Sequence, residues 1–162
     1  MRKRIAISVL SLSAAGFVGI LLQEGYSDKA IIPVPGDVPT LGFGTTEGVK
    51  MGDRITPPKA AARALKDVTT YEGAIKRCVK VELSQAEYDA YTDLAYNIGP
   101  GAFCNSTLVK KLNNEDYPSA CAAILDWKRY KQYDCSLAKN KHVCGGLWTR
   151  RQAAYKSCMG GE

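Results

Sequence analysis

The feature that most constrains this chain is a run of 18 residues without a charge, Ile5 to Leu22 (IAISVLSLSAAGFVGILL), which follows MRKR and stops just short of Glu24. An apolar run of this length has to be hidden from water, in a bilayer or against protein. The basic tetrad ahead of it marks an export element whose charged end stays in the cytoplasm while the rest crosses. As one helix the run would span about 27 Å, slightly less than a hydrocarbon core of roughly 30 Å. Ala6, Ser8, Ser11, Ser13, Ala14, Ala15, Gly16 and Gly19 make it rich in small and hydroxylated residues, so it gains little from lipid over a protein groove. An N-terminal signal-anchor helix over residues 1–23, held reversibly, is therefore expected ahead of a single domain over residues 24–162. The competing reading is a cleaved signal peptide with Ser13-Ala14-Ala15 as the small-x-small site, which would leave GFVGILL at a free N-terminus.

Outside that run the chain reads as exported and soluble. Three of the net six positive charges sit in MRKR, and the mildly basic remainder has no basic stripe interleaved with aromatics, so a nucleic-acid partner is not expected. All six cysteines, Cys78, Cys104, Cys121, Cys135, Cys144 and Cys158, follow the apolar run; an even count in an exported chain points to disulfides. Cys135 and Cys144 bracket a short Lys-rich loop and form the best single pair, because closing a small loop needs only a turn. The lone His142 has no partner at zinc-site spacing, and neither metal nor cofactor is expected.

The chemistry concentrates between Glu24 and Thr46, EGYSDKAIIPVPGDVPTLGFGTT. Pro33, Pro35 and Pro39 forbid helix and Gly36 and Gly42 mark turns, so residues 26–55 read as a small β region carrying Asp37 and Thr40 toward Glu24. Two acids and a hydroxyl on a short hairpin suit glycosidic hydrolysis: one acid protonates the leaving oxygen, and the others steady the sugar cation and hold water. While the apolar run lies in a membrane, Glu24 sits at the lipid boundary, so anchoring and activity should oppose each other.

The rest is helical. Thr56-Pro57 and a Ser84…Glu87 capping box open two helices, Asn97 and Gly99 end the second, and further helices are expected from Asn105 or Ser106, over PSACAAILDW, and over TRRQAAYKSC behind a Thr149 cap. Tyr88, Tyr91 and Tyr96 fall near one helical face and read as core, Trp127 and Trp148 as packing residues, Arg150 and Arg151 as exposed, and His142 as an exposed loop residue.

With EGYSDKA, PTLGFGTTEGV, AYNIGPGAFCNSTLVKKLN and GLWTRRQAAYKSC in that order, the chain resembles the phage-type lysozymes of glycoside hydrolase family 24, in particular the signal-arrest-release endolysins. The resemblance implies an α+β, lysozyme-like fold with a mostly helical body and a small N-terminal β lobe. It implies hydrolysis of the β-1,4 bond between N-acetylmuramic acid and N-acetylglucosamine in peptidoglycan. Glu24 would be the general acid, Asp37 the ionised second carboxylate and Thr40 the residue that holds water. Counting the family spacing forward from Glu24 lands on Pro33 and back from Thr40 on Val34, so Asp37 is assigned as the only acid within the ribbon, with Asp28 as the fallback.

The resemblance also implies a life cycle: a monomer held transiently in the host cytoplasmic membrane with its catalytic domain in the periplasm and then released. The freed segment should pack onto the domain as a first helix and bring Glu24 into register. The rivals are a lytic transglycosylase and a non-catalytic membrane-anchored wall-binding protein.

Overall fold

The local capping signals form the helices they predict. In the computed structural model, which describes residues 3–33 and 36–161, Pro57 opens α2 (Pro57–Cys78) and Ser84 caps α3 (Gln85–Ile98). The Ser84 hydroxyl accepts the Glu87 amide while the Glu87 carboxylate accepts the Ser84 amide, so two otherwise orphaned donors are satisfied reciprocally. Gly99, at φ 88°, ends α3 in a backbone conformation that a side chain would strain. Short helices α4 (Pro100–Cys104), α5 (Thr107–Asn113, capped by Ser106) and α6 (Tyr117–Ala122, capped by Asp116) follow, and α7 (Lys141–Met159) is the last long one.

The described residues divide into two compact units, residues 3–13 with 72–161, and residues 14–33 with 36–71. The first is helical around a single core that includes Ile75, Leu83, Tyr91, Leu94, Phe103 and Leu108. Tyr88 and Tyr91 are fully buried and belong to this core, whereas Tyr96 is only half-buried, so the tyrosine stripe is core in two of its three members; burial drives the Tyr88 and Tyr91 phenol pKa values up. Trp127 packs against the same core.

Three disulfides staple this unit: Cys78–Cys104, Cys121–Cys158 and, as the loop spacing suggests, Cys135–Cys144. Closing loops of 26 and 37 residues is worth about 3–4 kcal/mol each in the chain-entropy limit.

Several expectations are corrected here. Arg150 and Arg151 are buried, not exposed. Arg150 forms an ion pair with Asp93 of α3 at 2.8 Å, and Arg151 donates to the Trp127 carbonyl at 2.9 Å and to the Asn97 side chain. A guanidinium tolerates burial when carbonyls and carboxylates meet its planar fork of donors. Thr149 does not cap a helix, because α7 begins eight residues earlier and the Thr149 hydroxyl donates to the Gly145 carbonyl inside it. The glycine pair Gly145-Gly146 follows a kink at Cys144, whose φ of -148° and ψ of 24° leave helical geometry. His142 is exposed but lies in the first turn of α7. An unanticipated hairpin, β3 (Arg129–Tyr130) with β4 (Tyr133–Asp134), turns at Lys131, whose φ of 51° would usually call for glycine.

The apolar run does not form one helix. Ile5 exchanges two backbone hydrogen bonds with Leu83, a 3-10 turn covers Ile7–Val9, and Leu10 is buried in the helical core. The Glu72 carboxylate accepts the Leu12 amide, and Asp89 accepts both the amide and the hydroxyl of Ser13. Helix α1 (Ala14–Glu24) begins at the next residue, after Glu72 has taken the Leu12 amide and Asp89 both Ser13 donors. The physical reason is that in water a continuous apolar helix would expose its whole girdle, whereas an arm plus a short helix hides Leu10 and Ile20. Among the described residues no helix is long and apolar enough to cross a membrane.

Candidate active site

Residues 14–33 with 36–71 hold every acid and hydroxyl singled out in the ribbon. Strands β1 (Ser27–Ile31) and β2 (Thr40–Gly42) pair antiparallel, with Ser27 opposite Gly42 and Ile31 opposite Thr40. The register is irregular between those pairs, with extra β1 residues that bulge the ribbon. A small apolar cluster of Ala30, Leu41 and Val49 lies beneath it.

After β2 the chain reverses in a tight loop. Leu41 and Thr45 exchange backbone hydrogen bonds of 2.9 and 3.1 Å, enclosing Gly42, Phe43 and Gly44. Both glycines are needed: Gly42 has φ 65° and a Cβ there would lie 2.8 Å from that of Ala60, while Gly44 has φ 84°. The Phe43 ring packs on Tyr26 with centroids 5.4 Å apart, and Tyr26 donates its hydroxyl to the Ile55 carbonyl at 2.7 Å.

Glu24 is the last residue of α1 and is half-buried. Its Oε2 lies 3.2 Å from where a Cβ on Gly44 would sit, so the glycine turn lies directly against the carboxylate. The Tyr71 phenol belongs to the same neighbourhood: burial pushes its pKa up first, and the carboxylates of Asp67, Glu24 and Glu47 push it further.

Asp37 is exposed in the connection between the strands, and its Oδ1 accepts the Val38 amide at 2.8 Å. Thr40 is half-buried at the start of β2, with its hydroxyl 3.3 Å from the Val38 carbonyl. Asp28, the fallback, is exposed in β1 and forms an ion pair with Arg54 at 3.2 Å, both side chains being more than half exposed. The spacing position Val34 lies outside the described residues. The geometry thus joins Glu24 to the turn after Thr40 and leaves Asp37 on a solvated connection.

Reading the sequence missed Thr45, Asp67 and Tyr71. Asp67 and Tyr71 are one helical turn apart in α2, and that spacing was the available signal. Among the described residues no group of three or more His, Cys, Asp or Glu is placed to hold a metal ion.

The chain matches the family described as Phage lysozyme over residues 22–154. The SAR-endolysin of Pseudomonas phage phiKMV is 34% identical over 146 residues, which cover 90% of this chain and 87% of that one. A point mutant of P22 lysozyme superposes with a TM-score of 0.76 at 30% identity, over 94% of this chain and 100% of the other. The muramidase domain of SpmX from Asticaccaulis excentricus gives 0.79 at 25% identity, over 92% and 97%. The helical body with its small bulged ribbon is a lysozyme-like fold, and the family match makes the chain a glycoside hydrolase. The chain belongs to the phage lysozyme family.

Proposed function

We infer that the chain is a phage endolysin, a muramidase that hydrolyses the β-1,4 bond between N-acetylmuramic acid and N-acetylglucosamine in host peptidoglycan and so lyses the cell. The observation that carries the site assignment is the seat of Glu24 against Gly44 on a turn closed by Leu41 and Thr45. Glu24 protonates the leaving glycosidic oxygen, Asp37 faces the developing oxocarbenium charge, and Thr40 holds the attacking water. The exposure of Asp37 favours one competing reading, a lytic transglycosylase, which needs a single acid. Cleavage of purified peptidoglycan by the native chain, Glu24→Gln and Asp37→Asn separates them. Hydrolytic reducing ends lost in both variants fit the muramidase, and anhydromuramyl ends surviving Asp37→Asn fit the transglycosylase.

The enzyme is held first in the host cytoplasmic membrane by residues 1–23, with the catalytic part in the periplasm, and is then released. The fold with the arm docked is the one this reading assigns to the released state. What supports this is the arm that precedes α1. Arg4 grips the Glu87 carboxylate with Nη2 to Oε1 at 2.7 Å and Nε to Oε2 at 3.0 Å, and its guanidinium lies 3.5 Å from the centre of the Tyr117 ring. Cleavage after Ala15 would discard this ion pair, the Ile5–Leu83 bridge and buried Leu10 together, which argues against a removed signal peptide.

A further inference from the structure

We propose that Asp67 and Thr45 are positioning residues for Glu24: through Thr45, α2 fixes the glycine turn that the Glu24 carboxylate rests on. The inference builds on the reading of Glu24 as the proton donor and goes beyond it, because neither residue touches the sugar in that mechanism.

The argument starts from the helix. Ala60, Ala64, Asp67 and Tyr71 recur at helical spacing along one face of α2, where Ala60 and Ala64 are buried. The buried apolar stripe continues through Val68 and Ile75, and Asp67 and Tyr71 flank it half-buried, with Asp67 on the side that meets Thr45. Asp67 Oδ2 accepts the Thr45 hydroxyl at 2.5 Å, within the short range of an O–H donor meeting a charged acceptor. Thr45 is only 3% exposed, so its hydroxyl loses water on folding and gains the Asp67 carboxylate in exchange.

The connection runs onward through the turn. Thr45 is bonded to Leu41 by both backbone groups, so fixing its side chain fixes the loop between them. At the other end of the loop, Gly42 is seated on Ala60, seven residues before Asp67 on the same helix face. The turn is therefore held at two points two helical turns apart, and Gly44 between them meets Glu24 Oε2. Tyr71 lies one turn beyond Asp67; burial raises its phenol pKa first, and the Asp67 and Glu24 carboxylates raise it further.

An acid that must reach one glycosidic oxygen is sensitive to its seat, since a displacement of about 1 Å can cost on the order of 100-fold in rate. A turn released from α2 leaves substrate contacts made elsewhere unchanged, so the loss should fall on kcat and not on KM.

The experiment measures kcat and KM on soluble glycan strands for the native chain, Thr45→Val, Thr45→Ser, Asp67→Ala, Asp67→Asn and Glu24→Gln, each well below its own melting temperature. Thr45→Val keeps shape and removes the donor, and it should lower kcat about 10- to 100-fold with KM within about twofold. Thr45→Ser restores the hydroxyl and Asp67→Asn keeps an acceptor; both should stay within about threefold of native. Asp67→Ala makes the same break from the half-exposed helix side and carries the test if Thr45→Val does not fold. Native kcat in Asp67→Ala or Thr45→Val, a loss confined to KM, or a Thr45→Ser variant no better than Thr45→Val would overturn the proposal. Glu24→Gln separates the two levels. If it is inactive while Asp67→Ala is fully active, only the positioning role fails; if it is active, the role of Glu24 fails and the positioning role with it.

Discussion

Replacing Arg4 with Ala should destabilise the released enzyme by far more than an ordinary surface substitution near a chain terminus. The Glu87 side chain is 5% exposed, while that of Arg4 is 36% exposed. Removing Arg4 leaves a buried carboxylate that, among the described residues, keeps Ser84 as its hydrogen-bond partner. Breaking a buried pair costs about 3–5 kcal/mol, and the partial exposure of Arg4 brings the expectation down to about 2–3 kcal/mol. For a domain of this size that corresponds to a fall of about 5–10 °C in melting temperature. Lysine at position 4 keeps the charge but not the two-pronged grip or the stacking on Tyr117, and should fall between. The Arg4→Ala/Glu87→Gln double variant should recover most of the loss, because glutamine still closes the capping box and carries no unpaired charge. The assay is thermal unfolding of purified released protein followed by circular dichroism at neutral pH. A drop below about 2 °C for Arg4→Ala, or a double variant less stable than Arg4→Ala, would refute the reasoning.

The same pair sets a pH dependence. Burial alone would raise the Glu87 pKa, but its bonds to Arg4 and Ser84 outweigh that and hold it below the usual carboxylate range. Its contribution to stability is therefore complete above an unfolded value of about 4.3 and is lost as pH falls through the lower folded value, so the melting temperatures of native and Arg4→Ala should converge on acidification below about pH 4. Gly42→Ala should cost about 2–3 kcal/mol through a positive φ and a collision with Ala60, read as a lowered denaturation midpoint with activity lost alongside. Leucine in place of Ala14, Ala15, Gly16 and Gly19 should keep the protein in the membrane fraction and delay lysis; undiminished release would contradict the reversible anchor. Replacing both Cys135 and Cys144 with Ser should cost about 2–3 kcal/mol, at the low end for disulfides because the loop is short, and thermal unfolding of the variant checks it.

Features encoded within a few residues were legible. Ser84 and Glu87, Ser106, and the Cys135–Cys144 loop all follow from neighbours in the chain, and each is found as read. Features that depend on distant partners were not. Arg150 and Arg151 look like surface residues until Asp93 and Asn97, 57 and 54 residues away, supply their acceptors. The apolar run reads as one helix because Glu72 and Asp89, which take the donors at Leu12 and Ser13, lie 60 and 76 residues further on. Glu24 could be singled out from its place between an apolar segment and a glycine-spaced turn. Its support could not, since Asp67 is 22 residues beyond Thr45 and nothing local links them. The irregular register between Ser27 and Ile31 likewise defeats any attempt to place Asp37 by counting along the ribbon.

The central claim, a lysozyme that uses Glu24 as its acid, is tested most directly by the ends left on peptidoglycan. Purified glycan strands treated with the released native chain, Glu24→Gln and Asp37→Asn would be analysed by mass spectrometry. The account predicts new hydrolytic N-acetylmuramic acid reducing ends from the native chain and none from Glu24→Gln or Asp37→Asn. Undiminished hydrolysis by Glu24→Gln, or no cleavage at all by the native chain, would contradict it.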